Sequence, residues 1–230
     1  MSIHSRLYPI VEQQGGYFSA GQARRVGLSK ALLSYHARQG HLLRVRRGIY
    51  RLVAFPETPY ADLIVAWLAA GEKAVVSHES ALLLYGLTDL LPAKIHLTVP
   101  RTASRRQAGV RLHTARLSDD EVTFRHGLPV TTLPRTLVDL IRSGIDAEWI
   151  HQAVRQALER GLVSEATLQD EARRLPRNLT LAEWQQYVGP DVPYHATVPA
   201  SRKTPTLPSP KSCRFGGGVR RTEGGKRAEP

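Results

Sequence analysis

Lys30, Ser34 and Arg38 stand four residues apart in a segment that opens at Ser29 and closes at Gly40. That spacing puts three side chains on one face of an α-helix. The face offers a cation, a hydroxyl and a second cation, with Tyr35 beside them. Shortly afterwards Arg44, Arg46 and Arg47 crowd a stretch that turns at Gly48. Groups of these types suit contacts to phosphates and to base edges. Ser19 and Gln22, at the start of the preceding segment, offer further backbone contacts through helix N-terminal amides. The expected DNA-contact set is Ser19, Gln22, Lys30, Ser34, Tyr35, Arg38, Arg44, Arg46 and Arg47.

Other reactive side chains point less far. His78-Glu79 has the residue types for acid–base or metal chemistry, but no HExxH pattern or cysteine pair accompanies it. Ser77 and Ser80 flank it at a helix start, so capping and a fixed local turn are the expected role. Asp119-Asp120-Glu121 follows Ser118 and reads as a solvated acidic loop. His96, His113 and His126 fall on strand-like segments without spacing to one another, and read as pleat-surface or core residues. There is no P-loop, no GxSxG elbow, no glycine-rich dinucleotide turn and no Asp…Glu-x-Lys set on consecutive strands. The sequence therefore reads as a non-enzyme with no catalytic residues, no metal and no cofactor.

The elements that position the basic groups follow from pattern. Ile3, Leu7, Ile10 and Val11 form an apolar stripe for a helix over residues 3–14, ended by Gly15-Gly16. Ser19 and Ser29 look like N-caps for helices running to about residues 26 and 39. Leu32, Leu33 and His36 should face inward from the second of these. Residues 42–45 and 49–52 read as two strands around Arg46-Arg47-Gly48. Helix, helix and basic hairpin together are the layout of a winged helix-turn-helix, assigned to residues 1–55.

Charge supports that division. The net charge is +12, carried as +8 in residues 1–56, −2 in 57–198 and +6 in 199–230. An anionic polymer is the implied partner of the basic ends. Residues 56–188 read as a mixed helix/strand domain. Its expected helices lie at 60–70, 77–85, 132–141, 147–159, 164–174 and 181–188, and its strands at 95–99, 110–117, 122–125 and 128–131. From residue 189 the chain is rich in Pro, Gly, Ser, Lys and Arg, and reads as a disordered basic tail. The fold class is α+β. A single cysteine, Cys213, excludes a disulfide framework. The N-terminus lacks the apolar stretch of a signal peptide. Residues 61–70, the most apolar stretch, are too short to span a membrane. A cytoplasmic location with no membrane partner is expected.

Several blocks resemble a known family. Gly16-Tyr17-Phe18 with Ala20 and Ala23, the Gly40-x-Leu42 step, and Arg47-Gly48-Ile49-Tyr50 resemble the N-terminal domain of AbiEi-like antitoxins of type IV toxin–antitoxin systems. Val76-Ser77-His78-Glu79-Ser80-Ala81-Leu82 with Tyr85-Gly86-Leu87 fits the second part, as do Ile95-His96-Leu97-Thr98-Val99-Pro100 and Leu133-Pro134-Arg135-Thr136-Leu137-Val138-Asp139-Leu140. The resemblance covers about residues 5–175. It implies a bacterial protein whose N-terminal domain binds inverted repeats in double-stranded promoter DNA and represses transcription. It also implies that the second domain helps neutralise a cognate nucleotidyltransferase-like toxin, without need of a stable complex. Two copies on the inverted repeat are expected, as a homodimer or by cooperative binding. The tail has no counterpart in the family. The readings that compete with an antitoxin are a protein-interaction module and a stand-alone DNA-binding regulator without a toxin.

Overall fold

The computed structural model describes residues 3–88, 92–100, 107–144 and 147–173. Helix α1 (Ile3–Val11) buries Ile3, Leu7 and Val11 along one face. It stops short of residue 14: Gly16 N–H closes on Val11 O at 2.9 Å, and Gly15 and Gly16 reverse the chain at φ of 56° and 89°. The turn leads into β1 (Tyr17–Ser19), a strand that pattern alone did not show. Helices α2 (Ala20–Arg25) and α3 (Lys30–Arg38) follow, then strands β2 (Leu42–Arg46) and β3 (Ile49–Leu52). β3 lies between β1 and β2 and runs antiparallel to both.

Phe18, from β1, is fully buried and stacks on Tyr50, from β3, with ring centroids 5.9 Å apart. Leu7, Val11, Ala23, Leu33 and Leu42 close the same core. Three helices and a small sheet thus share one apolar cluster. Leu32 departs from expectation: it lies 40% exposed, because its position in the first turn of α3 turns it away from that cluster. Leu33 and the half-buried His36 fill the inner face.

The second region is built on a five-stranded mixed sheet in the order β6-β5-β4-β8-β7. The strands are β4 (Val75–Val76), β5 (Ile95–Val99), β6 (Val110–Thr114), β7 (Val122–Arg125) and β8 (Leu128–Thr131). The central strand, β4, is only two residues long. It pairs antiparallel with β5 and parallel with β8. β6 ends at Thr114 rather than residue 117 because its partner β5 ends at Val99, the residue opposite. Helices α4 (Ala61–Ala70), α5 (His78–Tyr85), α6 (Leu133–Arg142), α7 (Ala147–Glu159) and α8 (Glu165–Arg173) complete the region. α5 packs on β5 and α6, and α6 packs on α7 and α8.

The second core includes Leu82, Leu97, Val130, Leu137 and Ile150. Tyr17 and Ile49 reach into it from the first sheet, so the two clusters adjoin across the segment containing Pro56 and Pro59. The helix expected at 181–188 and the tail from residue 189 lie outside the described residues. Among those that are described, no helix is long and apolar enough to cross a membrane.

Candidate nucleic-acid interface

The basic groups are placed by two capped helices and a turned hairpin. Ser29 caps α3, its Oγ accepting from Leu32 N–H at 3.2 Å. That fixes the helix start and sends Lys30, Ser34, Tyr35 and Arg38 outward, all exposed. The hairpin turns at Gly48, whose φ of 78° suits a residue without a Cβ. Between Arg44 and Arg46 the strand register shifts, an irregularity of the kind that re-aims side chains. Arg44, Arg46 and Arg47 are all exposed.

A hollow of about 200 Å³ opens between α3 and the hairpin, lined by Arg24, Lys30, Arg44, Arg47 and Gly48 among others. Four basic residues line one small concavity with no acid among its described lining residues, an excess of positive charge on this face. Arg24 was missed in the sequence. Its signal was its place in the last turn of α2, but its approach to Lys30 and Arg47 depends on how the hairpin folds back. Arg46 points elsewhere: its Nη1 donates to Gln107 Oε1 at 3.3 Å. Arg25 pairs with Glu72, while Arg51 is buried and donates to Phe55 O at 2.8 Å.

Ser19 and Gln22 have a different role from the one expected. Ser19 Oγ accepts from Gln22 N–H at 3.1 Å, and Gln22 Oε1 accepts from Ser19 N–H at 2.8 Å. This reciprocal capping box satisfies two amides at the helix start. Gln22 is buried as well. The Gln22 amide is satisfied by Ser19, so the box serves the start of α2.

In the second region the reactive side chains are also rearranged. Asp119-Asp120-Glu121 forms a short 3₁₀ turn capped by Ser118. Glu121 is not solvated: it pairs with Arg135, which also donates to Asp139 Oδ2 at 3.0 Å. Burial alone would raise Glu121, but hydrogen bonds from Ser118 and Arg135 outweigh it and hold the carboxyl below its usual range. For Asp139, burial wins over Arg135 and raises it. His126 is exposed, at a φ of 50°, with its ring 4.4 Å from Tyr60.

His78, His96 and His113, which no spacing links in the sequence, come together. Ser77 and Ser80 do not cap α5 with their hydroxyls. Ser77 Oγ contacts His78 Nδ1 at 3.0 Å, and Ser80 Oγ accepts from His96 N–H at 2.9 Å. Burial, then the neighbouring histidines and Arg111, lowers His78 to about 3. Burial with Arg111 and Lys94 lowers His96 to about 4. Burial with His96 and Arg111 lowers His113 to about 4. All three imidazoles are therefore neutral at pH 7.

Comparison with known proteins bears on the N-terminal region. No curated protein matches the chain. Among solved structures, the crystal structure of the RV2827C protein from Mycobacterium tuberculosis is similar, at 17% sequence identity and a TM-score of 0.48, covering 80% of this chain and 74% of that one. A family model described as "Transcriptional regulator, AbiEi antitoxin" matches residues 5–53. That stretch runs from α1 to just past the end of β3. The N-terminal segment of this chain, residues 5–53, is thus similar to the AbiEi antitoxin family of transcriptional regulators.

Proposed function

We propose that the chain is the antitoxin of a type IV toxin–antitoxin system and that it represses its own promoter. Residues 1–55 act as a winged helix-turn-helix: α3 enters the major groove and the β2–β3 hairpin is the wing. Lys30, Ser34, Tyr35 and Arg38 meet base edges and flanking phosphates. Arg24, Arg44 and Arg47 hold the backbone, and Arg46 joins them by exchanging Gln107 for phosphate. The observation that carries this reading is the hollow between α3 and the hairpin, lined by four basic residues and, among the described residues, by no acid. The family match over residues 5–53 supports it.

One such module reads few base pairs, so two copies on an inverted repeat supply the specificity. Residues 56–188 contribute to countering a nucleotidyltransferase-like toxin, and the protein works in the cytoplasm. No catalytic role is proposed. A nucleotidyltransferase-like reading frame beside the gene separates an antitoxin from a stand-alone regulator, which would have no such neighbour.

Fluorescence anisotropy of the full chain against the DNA upstream of its own gene, with scrambled DNA of equal length as control, tests the reading. Preferential, salt-sensitive binding is expected. Each phosphate contact adds about 0.9 to the slope of log affinity against log salt, so Arg44→Ala with Arg47→Ala should lower that slope by about 2. Equal weak binding to both DNAs would reject promoter recognition.

A further inference from the structure

We propose that His78, His96 and His113 form a binding site for one divalent transition-metal ion of the imidazole-preferring kind, with Zn²⁺ as the probe. Nothing in the DNA-binding reading requires this site, and either can fail without the other.

Three elements bring the ligands together. His78 opens α5, His96 lies on β5 and His113 on β6. Thr98 stands opposite His113 in the parallel β5–β6 pairing and two residues from His96, so the strand repeat puts both histidines on one sheet face. The start of α5 lies against that face, as Ser80 Oγ accepts from His96 N–H. One ligand atom from each histidine lies within 4.8 Å of the others. Ring centroids are 3.6 Å apart for His78 and His113, 5.1 Å for His96 and His113, and 5.8 Å for His78 and His96.

Two independent features point to a ligand. His96 Nδ1 and His113 Nε2 are buried and have no hydrogen-bond partner among the described residues, although buried polar atoms ordinarily find one. His78 adopts a φ of 54°, a conformation rare outside glycine that surrounding structure must enforce and that concentrates at functional sites. The outer shell also fits. Ser77 Oγ accepts from Thr98 Oγ1–H at 2.8 Å and lies 3.0 Å from His78 Nδ1. With Nδ1–H donating to Ser77, His78 keeps its Nε2 lone pair for an ion, the second-shell arrangement of metal-bound histidine.

Zn–N bonds of about 2.0–2.1 Å place tetrahedral nitrogen ligands about 3.3 Å apart. The three nitrogens must therefore draw in by up to about 1.5 Å, and the stacked His78–His113 pair must tilt apart to aim both lone pairs at one point. His113, half-buried where His78 and His96 are buried, is the least enclosed of the three. His96 also lines an open pocket of about 730 Å³, together with Glu79, Lys94, Gln107 and Arg111. A water or an anion would supply the fourth ligand, as in zinc sites with three protein ligands. Arg111 and Lys94 repel a dication, and Glu79 on the same pocket opposes them.

The test uses the full chain without a histidine tag, stripped with a chelator and titrated with Zn²⁺ against a chromogenic competitor. One equivalent should bind, and Co²⁺ in its place should give the visible absorption of a four-coordinate ion. His96→Gln and His113→Gln should each weaken Zn²⁺ by more than about 100-fold. Ser77→Ala, which leaves the ligands in place, should weaken it by about 10- to 100-fold. His113→Gln, on the edge strand, is the variant best able to keep the fold, which circular dichroism checks. His36 and His41, whose Nδ1 atoms are 3.4 Å apart, are the rival pair, so His41→Gln should leave binding unchanged. Absence of Zn²⁺ binding, unaltered affinity in folded His113→Gln, or loss of binding in His41→Gln each overturns the proposal.

Discussion

The two regions handle polar groups in opposite ways. In residues 3–55 the cations apart from the buried Arg51 lie mostly outside: Arg24, Lys30, Arg38, Arg44 and Arg47 are exposed on α2, α3 and the hairpin, over a core of aliphatic and aromatic side chains. In the second region polar groups go inside: Ser77, His78, Ser80, His96, Thr98, Thr131, Thr136 and Asp139 are all buried. Most of them are bonded to one another. Thr136 Oγ1 reaches Thr131 Oγ1 at 2.7 Å, and Tyr85 Oη–H donates to Thr131 O at 2.9 Å. Exposed charge binds something outside while contributing little to stability. Buried polar networks fix one packing and are costly to break. Substitutions should therefore separate the regions: binding falls with stability intact in the first, and stability falls in the second.

The largest effect is expected at Arg135. Its guanidinium lies between the carboxylates of Glu121 and Asp139, with all three side chains under 15% exposed. Arg135→Ala leaves two buried carboxylates without their cation, and breaking a buried pair in this way costs about 3–5 kcal/mol. Urea denaturation should show it as a lower midpoint. A loss under about 1 kcal/mol, the range of surface pairs, would mean that water reaches these groups.

The converse is the triple change of Lys30, Arg44 and Arg47 to Ala. These side chains are exposed and make no ion pair among the described residues, so stability should stay within about 0.5 kcal/mol of the parent. If all three meet phosphate, the salt slope of DNA binding should fall by about 2.7. A lower melting temperature with an unchanged slope would place these cations in the fold rather than at a ligand.

Legibility in the sequence divides along a different line. The helices, the hairpin and the strands at Ile95–Val99 and Leu128–Thr131 were readable because their signals are local: a serine at the cap, an apolar residue at three and four, a glycine at the turn. β1 and β4 were not. Their three and two residues carry no period, and they are strands only because β3 and β5 pair with them. The basic face was legible for the same reason as its helix, four-residue spacing. The histidine cluster was not, since its members come from α5, β5 and β6 and meet only through sheet register. Gln22 shows the limit from the other side. Its spacing from Ser19 fits both a backbone contact and a capping box, and only the folded geometry decides for the box.

A smaller effect tests that decision. Ser19→Ala removes the hydroxyl that accepts Gln22 N–H, and loss of an N-cap costs about 1 kcal/mol. Thermal melting should report it. Salt dependence of DNA binding should not change in the variant. If instead the slope fell by about 0.9 with stability unchanged, Ser19 would be counted among the phosphate contacts.

The smallest effect lies in the pH dependence of the Arg135 network, where the two carboxyls oppose each other. Glu121 is held below its ordinary value. Its contribution is present above the unfolded value of 4.5 and is lost as pH falls through the folded one. Asp139 is raised above its ordinary 3.8, so its contribution is present below that value and is lost as pH rises through the folded one. Where the two titrations overlap, between the ordinary values of 3.8 and 4.5, the slopes have opposite sign and oppose each other. Asp139→Asn keeps an oxygen for Arg135 Nε–H and removes one titration. Stability of the variant should therefore fall more steeply than that of the parent as pH drops below about 4.5, read from urea midpoints at several pH values. Parallel pH profiles for variant and parent would mean that Asp139 keeps its ordinary value in the fold, and a shallower fall in the variant would mean that Asp139 is held low together with Glu121. In that second case Arg135 would outweigh burial for both carboxyls, and burial would not separate them.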